Sequence, residues 1–181
     1  LELTLHNGID PQTGELIGLP TGDATTFVSF EDLLKAFNHQ LNYFIDIKIK
    51  GENIIEQLYA RYLPVPFLSL LIDDCIANGR DYNAGGARYN TTYIQGVGLG
   101  SITDSLTAIK YHVFDQKNIT LAGMMKAMAD NFAGHEKLRY DLVYNTPKWG
   151  NDEDYADNNA KRIFEMFYDA VNGRPSPRGA T

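Results

Sequence analysis

The sequence predicts a helix-rich α/β chain in which one extended, glycine-bracketed run interrupts a succession of helices. Two capping patterns predict the helices: Ser29-Phe30-Glu31-Asp32 and Ser101-Ile102-Thr103-Asp104 each place an acid three positions after a serine, with apolar residues following at helical spacing. The run Ala87-Arg88-Tyr89-Asn90-Thr91-Thr92-Tyr93-Ile94 predicts the extended part. It is rich in aromatic and β-branched residues and lies between Gly85-Gly86 and Gly96, which suits a strand or an extended loop. The 181 residues, 44% hydrophobic and 22% charged, are enough to bury a core and fit one domain or a large piece of a bigger one.

Residues 1–6 read as the end of a helix stopped by Asn7-Gly8, a pair that tolerates left-handed dihedrals. Pro11, Gly14, Gly18, Pro20 and Gly22 then punctuate a loop from Asp10 to Thr26. From Phe30 the apolar spacing predicts one long helix to about Tyr62, with Gly51 its weak point and Pro64 and Pro66 its end. Phe67 to Ala77 reads as a second, mostly buried helix closed by Asn78-Gly79. Beyond the extended run, the second capping pattern opens a helix with Ile102, Leu106, Ile109 and Val113 on one face, and Thr120 caps Leu121 to Phe132. A short helix from about His135 to Val143, a turn at Asn145 to Gly150 and a last helix from about Asp152 to Val171 complete the order. The tail from Arg174 to Gly179 carries two prolines and cannot be helical. A lone strand cannot satisfy its own backbone groups, so partner strands are expected outside the span.

A net charge of −7 argues against a nucleic-acid partner, which would need clustered Lys and Arg. Cys75 is the lone cysteine, so intramolecular disulfides and multi-cysteine metal sites are excluded, and a reducing compartment such as the cytoplasm is expected. The strongest apolar stretch, Leu63 to Ile72, is broken by two prolines and falls far short of the roughly 20 residues that span a bilayer, so no membrane association is expected. Position 1 is Leu and no basic n-region precedes Leu3-Thr4-Leu5, which is not a signal peptide; the missing start residue implies a chain cut from something longer.

Five constellations bear on chemistry. Gly96-Val97-Gly98-Leu99-Gly100 before a helix departs from the spacing of a dinucleotide fingerprint and reads better as close packing of strand on helix. Asp73-Asp74-Cys75 reads as two acids on different helix faces beside an inert buried thiol. His6, His39, His112 and His135 lack ligand spacing and read as surface or satisfied core histidines. Asp152, Glu153, Asp154 and Asp157 suit the positive end of a helix dipole better than a cation loop. Arg88, flanked by small residues, could clamp a carboxylate with both arms of its guanidinium, or pair internally with an acid such as Asp81 and hold the loop.

The strings Asn78-Gly79-Arg80-Asp81-Tyr82-Asn83-Ala84-Gly85-Gly86-Ala87-Arg88-Tyr89-Asn90, Gln95-Gly96-Val97-Gly98 and Thr103-Asp104-Ser105-Leu106 resemble the pyruvate formate-lyase-like family of glycyl radical enzymes. Asn7-Gly8-Ile9-Asp10-Pro11, Pro147-Lys148-Trp149-Gly150-Asn151-Asp152 and Pro177-Arg178-Gly179 extend the likeness over the whole chain. Within the family, Tyr89 to Gly96 is most like the branch that dehydrates trans-4-hydroxy-L-proline; other branches tend to carry Gly-Pro before the Gln-Gly.

The resemblance implies that residues 1–181 are part of the pyruvate formate-lyase domain, one portion of a ten-stranded α/β barrel. It implies a parent lyase that eliminates water by radical chemistry, with formate C-acetyltransferase, glycerol, diol or choline eliminases and a non-catalytic binding module as the alternatives. The family's Gly-Cys-Val-Glu and Arg-Val-x-Gly-Tyr motifs are absent from this sequence. The cysteine loop and the glycyl radical domain are therefore expected outside the span, no catalytic residue is assigned within it, and the chain alone is expected to be inert. No cofactor is expected to bind this span, and the parent is expected to carry its glycyl radical elsewhere. The implied partners are the rest of the parent barrel, a radical S-adenosylmethionine activating enzyme and a second copy in a homodimer. Gly85, Gly86, Arg88, Tyr89 and Asn90 are the candidates for shaping the barrel interior.

Overall fold

The computed structural model describes residues 1–180, and among them every regular element is a helix. These are α1 (Glu2–Leu5), α2 (Phe30–Tyr62), α3 (Pro66–Leu71), α4 (Leu99–Ile109), α5 (Leu121–Ala129), α6 (Glu136–Tyr144) and α7 (Asp154–Val171), with short 3-10 turns at Ala24–Thr26 and Tyr82–Ala84. The α/β expectation is overturned: the described residues contain no strand, only a single antiparallel bridge between Ile9 and Leu16. Residues 87–89 bend and 90–96 carry no regular structure. Loop contacts stand here in place of a ladder, including Arg88 N–H to the Asp73 carbonyl at 3.1 Å and Thr92 Oγ1 to Glu56 at 2.7 Å.

The chain divides into two compact units, one from Leu1–Tyr43 and Gly96–Phe167, the other from Phe44–Gln95 and the segment from Tyr168 onward. The first unit holds the main core. Leu5, Phe30, Leu33, Leu34 and Phe37 meet Leu106, Ile109, Leu121, Met124 and Ile163, and the face expected of α4 is the one buried, with Ile102 and Val113 at its margin. The capping pattern at Ser29 is real: Ser29 N–H donates to Asp32 Oδ2 at 2.9 Å, and Asp32 N–H donates back to Ser29 Oγ at 3.2 Å. The one at Ser101 is not. There α4 begins at Leu99 behind Gly98, whose φ of 89° is open to glycine, and Asp104 is spent accepting the Trp149 N–H at 2.9 Å.

After Ile109 the helix loosens into a π-helical segment, Lys110–Asp115. Lys110 Nζ and Asp115 Oδ2 lie 2.7 Å apart, five residues along the chain, a pair suited to that wider turn. The segment turns His112 inward, where it is buried. Thr146 Oγ1 donates to the Asp141 carbonyl at 2.9 Å, so at 2.8 Å from His112 Nε2 it accepts; Asn118 Nδ2 lies 3.1 Å from Nδ1. Both ring nitrogens have hydrogen-bond partners, Nε2 in Thr146 and Nδ1 in the Asn118 side-chain amide. His112 is thus the satisfied core histidine that its lone position implied.

The second unit is thinly cored, with Ile45, Ile49, Cys75, Ala87 and Ala170 buried. Here the expected buried helix from Phe67 to Ala77 is corrected. α3 stops at Leu71, no residue in it is buried, and Phe67, Leu70 and Leu71 are all largely exposed. An apolar run states that a helix wants cover, not that this chain supplies it. Gly51 lies inside α2 with open space where a Cβ would stand, so Gly51→Ala is expected to raise stability by about 1 kcal/mol, read as a higher denaturant midpoint at unchanged slope. No helix among the described residues is long and apolar enough to cross a membrane.

Candidate functional site: a glycine-rich loop clasped by the tail

The loop after α3 is organised by Asp81. Its Oδ2 accepts the Val65 N–H at 2.9 Å and the Ser69 hydroxyl at 2.8 Å, its Oδ1 accepts the Asn83 N–H at 2.9 Å, and Ser69 Oγ accepts the Tyr82 N–H at 2.9 Å. Asp81 thereby joins the start of α3 to the 3-10 turn at Tyr82–Ala84. Burial raises its pKa, but the hydrogen bonds from Ser69, Asn83, Val65 and Tyr82 outweigh that and hold it below the ordinary carboxylate value.

A carboxyl with a lowered native pKa stabilises the fold fully above its unfolded value, about 4 for Asp, and loses that contribution as pH falls through the native value. Asp81→Asn puts an NH2 where one oxygen accepted. It is expected to cost about 1–3 kcal/mol at neutral pH and to flatten the acid side of a stability–pH curve, both measurable by urea unfolding.

Gly85 follows with φ 81°, and a Cβ there would stand 2.7 Å from the Arg178 carbonyl oxygen. A Cβ on Gly86 would collide with the Arg80 carbonyl. The two glycines let three backbone segments touch. Asn90 Nδ2 spans the turn, donating to the Ala87 carbonyl at 3.0 Å and the Gly85 carbonyl at 3.3 Å. Gly85, Gly86 and Asn90 are therefore brought together as one turn.

Arg88 is held apart from them. Its Nε and Nη2 donate to the two oxygens of Asp74 at 2.9 Å each, and Nη1 lies 3.8 Å from Asp73. Internal pairing is the reading the structure supports, but the partner is Asp74 instead of Asp81. The guanidinium holds the Asp74 carboxyl below its usual range. Asp74 itself has φ 75°, an unusual backbone state for a residue with a Cβ. Tyr89 is 82% exposed, and Tyr93 beside it is also open.

Sequence reasoning missed the tail. Arg174 Nη2 donates to Asp46 at 2.6 Å, Asn53 Nδ2 reaches the Pro175 carbonyl at 3.3 Å, and the Arg178 guanidinium carbon lies 4.4 Å from the centre of the Tyr82 ring. Only the resemblance at Pro177-Arg178-Gly179 drew the eye there. Among the described residues of this unit, Glu56 Oε2, Asn90 Oδ1 and Arg178 Nε are buried without partners.

The other constellations resolve as packing. Gly96 faces the Phe167 ring and Gly100 the Trp149 ring, so these glycines admit aromatic neighbours. Cys75 is buried, Asp154 and Asp157 sit in the first turn of α7, and Asp157 accepts the Gly150 N–H at 3.0 Å. Among the described residues no three His, Cys, Asp or Glu side chains are grouped to hold a metal ion.

The sequence profile described as pyruvate formate lyase-like matches residues 1–181. The chain belongs to this family of glycyl radical enzymes. Its pyruvate formate lyase-like relatives include trans-4-hydroxy-L-proline dehydratase of Clostridioides difficile, 52% identical over 179 residues, and (2S)-3-sulfopropanediol dehydratase of Klebsiella oxytoca, 40% identical over 182 residues. Each alignment covers 99% of this chain, against 23% of the first relative and 22% of the second. The solved hydroxyproline dehydratase of Clostridioides difficile with trans-4-hydroxy-L-proline bound superposes with a TM-score of 0.95 at 52% identity, over 99% of this chain and 23% of that one. The chain thus spans less than a quarter of the length of these relatives.

Proposed function

We propose that the protein carrying this chain is a glycyl radical lyase that eliminates water from trans-4-hydroxy-L-proline, and that the loop around Gly85 to Gln95 lines its reaction chamber. The observation that carries this reading is the 52% identity, with a TM-score of 0.95, to a hydroxyproline dehydratase solved with that substrate bound. In this reading Gly85, Gly86 and Asn90 set the path of the chamber wall, Arg88 braces it through Asp74, and the exposed Tyr89 ring is what this chain offers to a ligand or to the rest of the polypeptide.

The cysteine and glycine motifs that the family reading demands have no counterpart in this sequence, so the groups that break bonds are assigned to other parts of the protein. The glycyl radical supplies hydrogen-atom abstraction there. Its installation calls for a radical S-adenosylmethionine activating enzyme, and a homodimer is the proposed assembly. This segment's part is to position and to exclude water, since a radical intermediate survives only in a closed interior.

The test is anaerobic turnover by the full-length protein after treatment with an activating enzyme and S-adenosylmethionine. Consumption of trans-4-hydroxy-L-proline with loss of water is expected. Turnover of a diol instead would favour the second reading, a dehydratase of the (2S)-3-sulfopropanediol kind, which the 40% identity to that enzyme supports. Arg88→Ala tests the wall: its ion pair is exposed and contributes little to stability, so lost turnover in a folded variant supports the role and unchanged turnover removes it.

A further inference from the structure

We propose that Arg178 is a positioning residue that clasps the 82–92 loop into its working form; this rests on the reading that the loop lines the reaction chamber. Four contacts converge on it. The guanidinium stacks on the Tyr82 ring with its carbon 4.4 Å from the ring centre, and Nη2 donates to the Tyr82 carbonyl at 3.4 Å. Nη1 donates to the Thr91 carbonyl at 3.4 Å, and the Arg178 carbonyl occupies the space a Cβ on Gly85 would need. One residue therefore touches the start, the turn and the far end of a loop that lies 87–96 positions away in sequence.

The mount is built for this. Asp46 and Asn53 fasten Arg174 and Pro175 to α2, and the tail then folds back on itself through Ser176 N–H to the Ala180 carbonyl at 2.9 Å and Gly179 N–H to the Ser176 carbonyl at 3.1 Å. Arg178 lies within that turn. Its Nε–H is buried without a partner among the described residues, while the guanidinium carbon lies over the Tyr82 ring, a favourable cation–π contact. Both carbonyl contacts are long, so the ring contact and the two-armed reach matter more than either bond. Lysine could supply the charge but not the plane or the fork.

The experiment compares Arg178→Lys and Arg178→Ala with the parent in the full-length protein. The amides of Gly85, Gly86 and Arg88, which donate to Tyr82, Asp81 and Asp73, report the loop by hydrogen exchange whatever the enzyme acts on. Exchange at those three amides is expected to quicken at least about tenfold in both variants, while α4 amides keep parent rates. Turnover of hydroxyproline, counted per radical spin, is expected to fall about tenfold or more in kcat with little change in KM, because a misplaced wall spoils geometry more than binding. Parent-like exchange in both variants overturns the clasp, as does full rescue by lysine. If the parent itself fails to turn over hydroxyproline, the functional reading falls and the exchange result alone decides the clasp.

Discussion

Gly86→Ala is expected to be the most damaging single substitution in the second unit. The added methyl would strike the Arg80 carbonyl, a backbone atom tied into the turn, so no side-chain rotation can relieve it. Forcing atoms into filled space costs about 1–3 kcal/mol and more where backbone must move, and the upper end is expected here. Among the described residues of that unit, five buried apolar side chains resist the shift. The readout is a lower denaturant midpoint together with lost exchange protection at Gly85 and Arg88. A midpoint within about 0.5 kcal/mol of the parent would show that the Arg80 turn yields freely.

Leu106→Ala is the corresponding expectation for the first unit. Leu106 is fully buried in α4 within the cluster formed by α2, α5 and α7, and its truncation removes transfer energy and leaves a cavity. A loss of about 2–5 kcal/mol is expected, measured by urea unfolding followed at Trp149. The partly buried Ile102, one turn earlier, is expected to cost clearly less when truncated. Equal losses at the two sites would mean that burial depth does not rank this core.

Which features could be read from residue order alone follows from how local their causes are. The cap at Ser29 and the stop at Pro64 depend on neighbours within four residues, and α2 runs from Phe30 to Tyr62 as its spacing predicts. The Ser101 pattern failed because a distant amide, that of Trp149, claims Asp104. The run at Ala87 to Ile94 has strand-forming side chains but no ladder among the described residues, and α3 is apolar yet uncovered, because both signals describe a need whose partner lies beyond the local sequence.

The candidate site divides in the same way. Gly85 and Gly86 were legible as the edge of an extended run that contains Asn90, but the turn that joins the three was not, because it is made by a side-chain amide reaching back to two carbonyls. Arg88 was legible as an internal ion pair but with the wrong acid: Asp74, whose φ is 75°, takes it from fourteen residues away. Arg178 was illegible as a clasp because cation and ring stand 96 residues apart.

One consequence of the fold is practical. The sequence has a single cysteine and a single tryptophan, and the fold gives Cys75 to the second unit and Trp149 to the first. The thiol is hidden, so an alkylating reagent can mark it only when the second unit opens, whereas indole fluorescence follows the first. Two chemically distinct clocks are thus already wired into this chain. Run side by side in one denaturation series, they reveal whether the halves melt together or in turn.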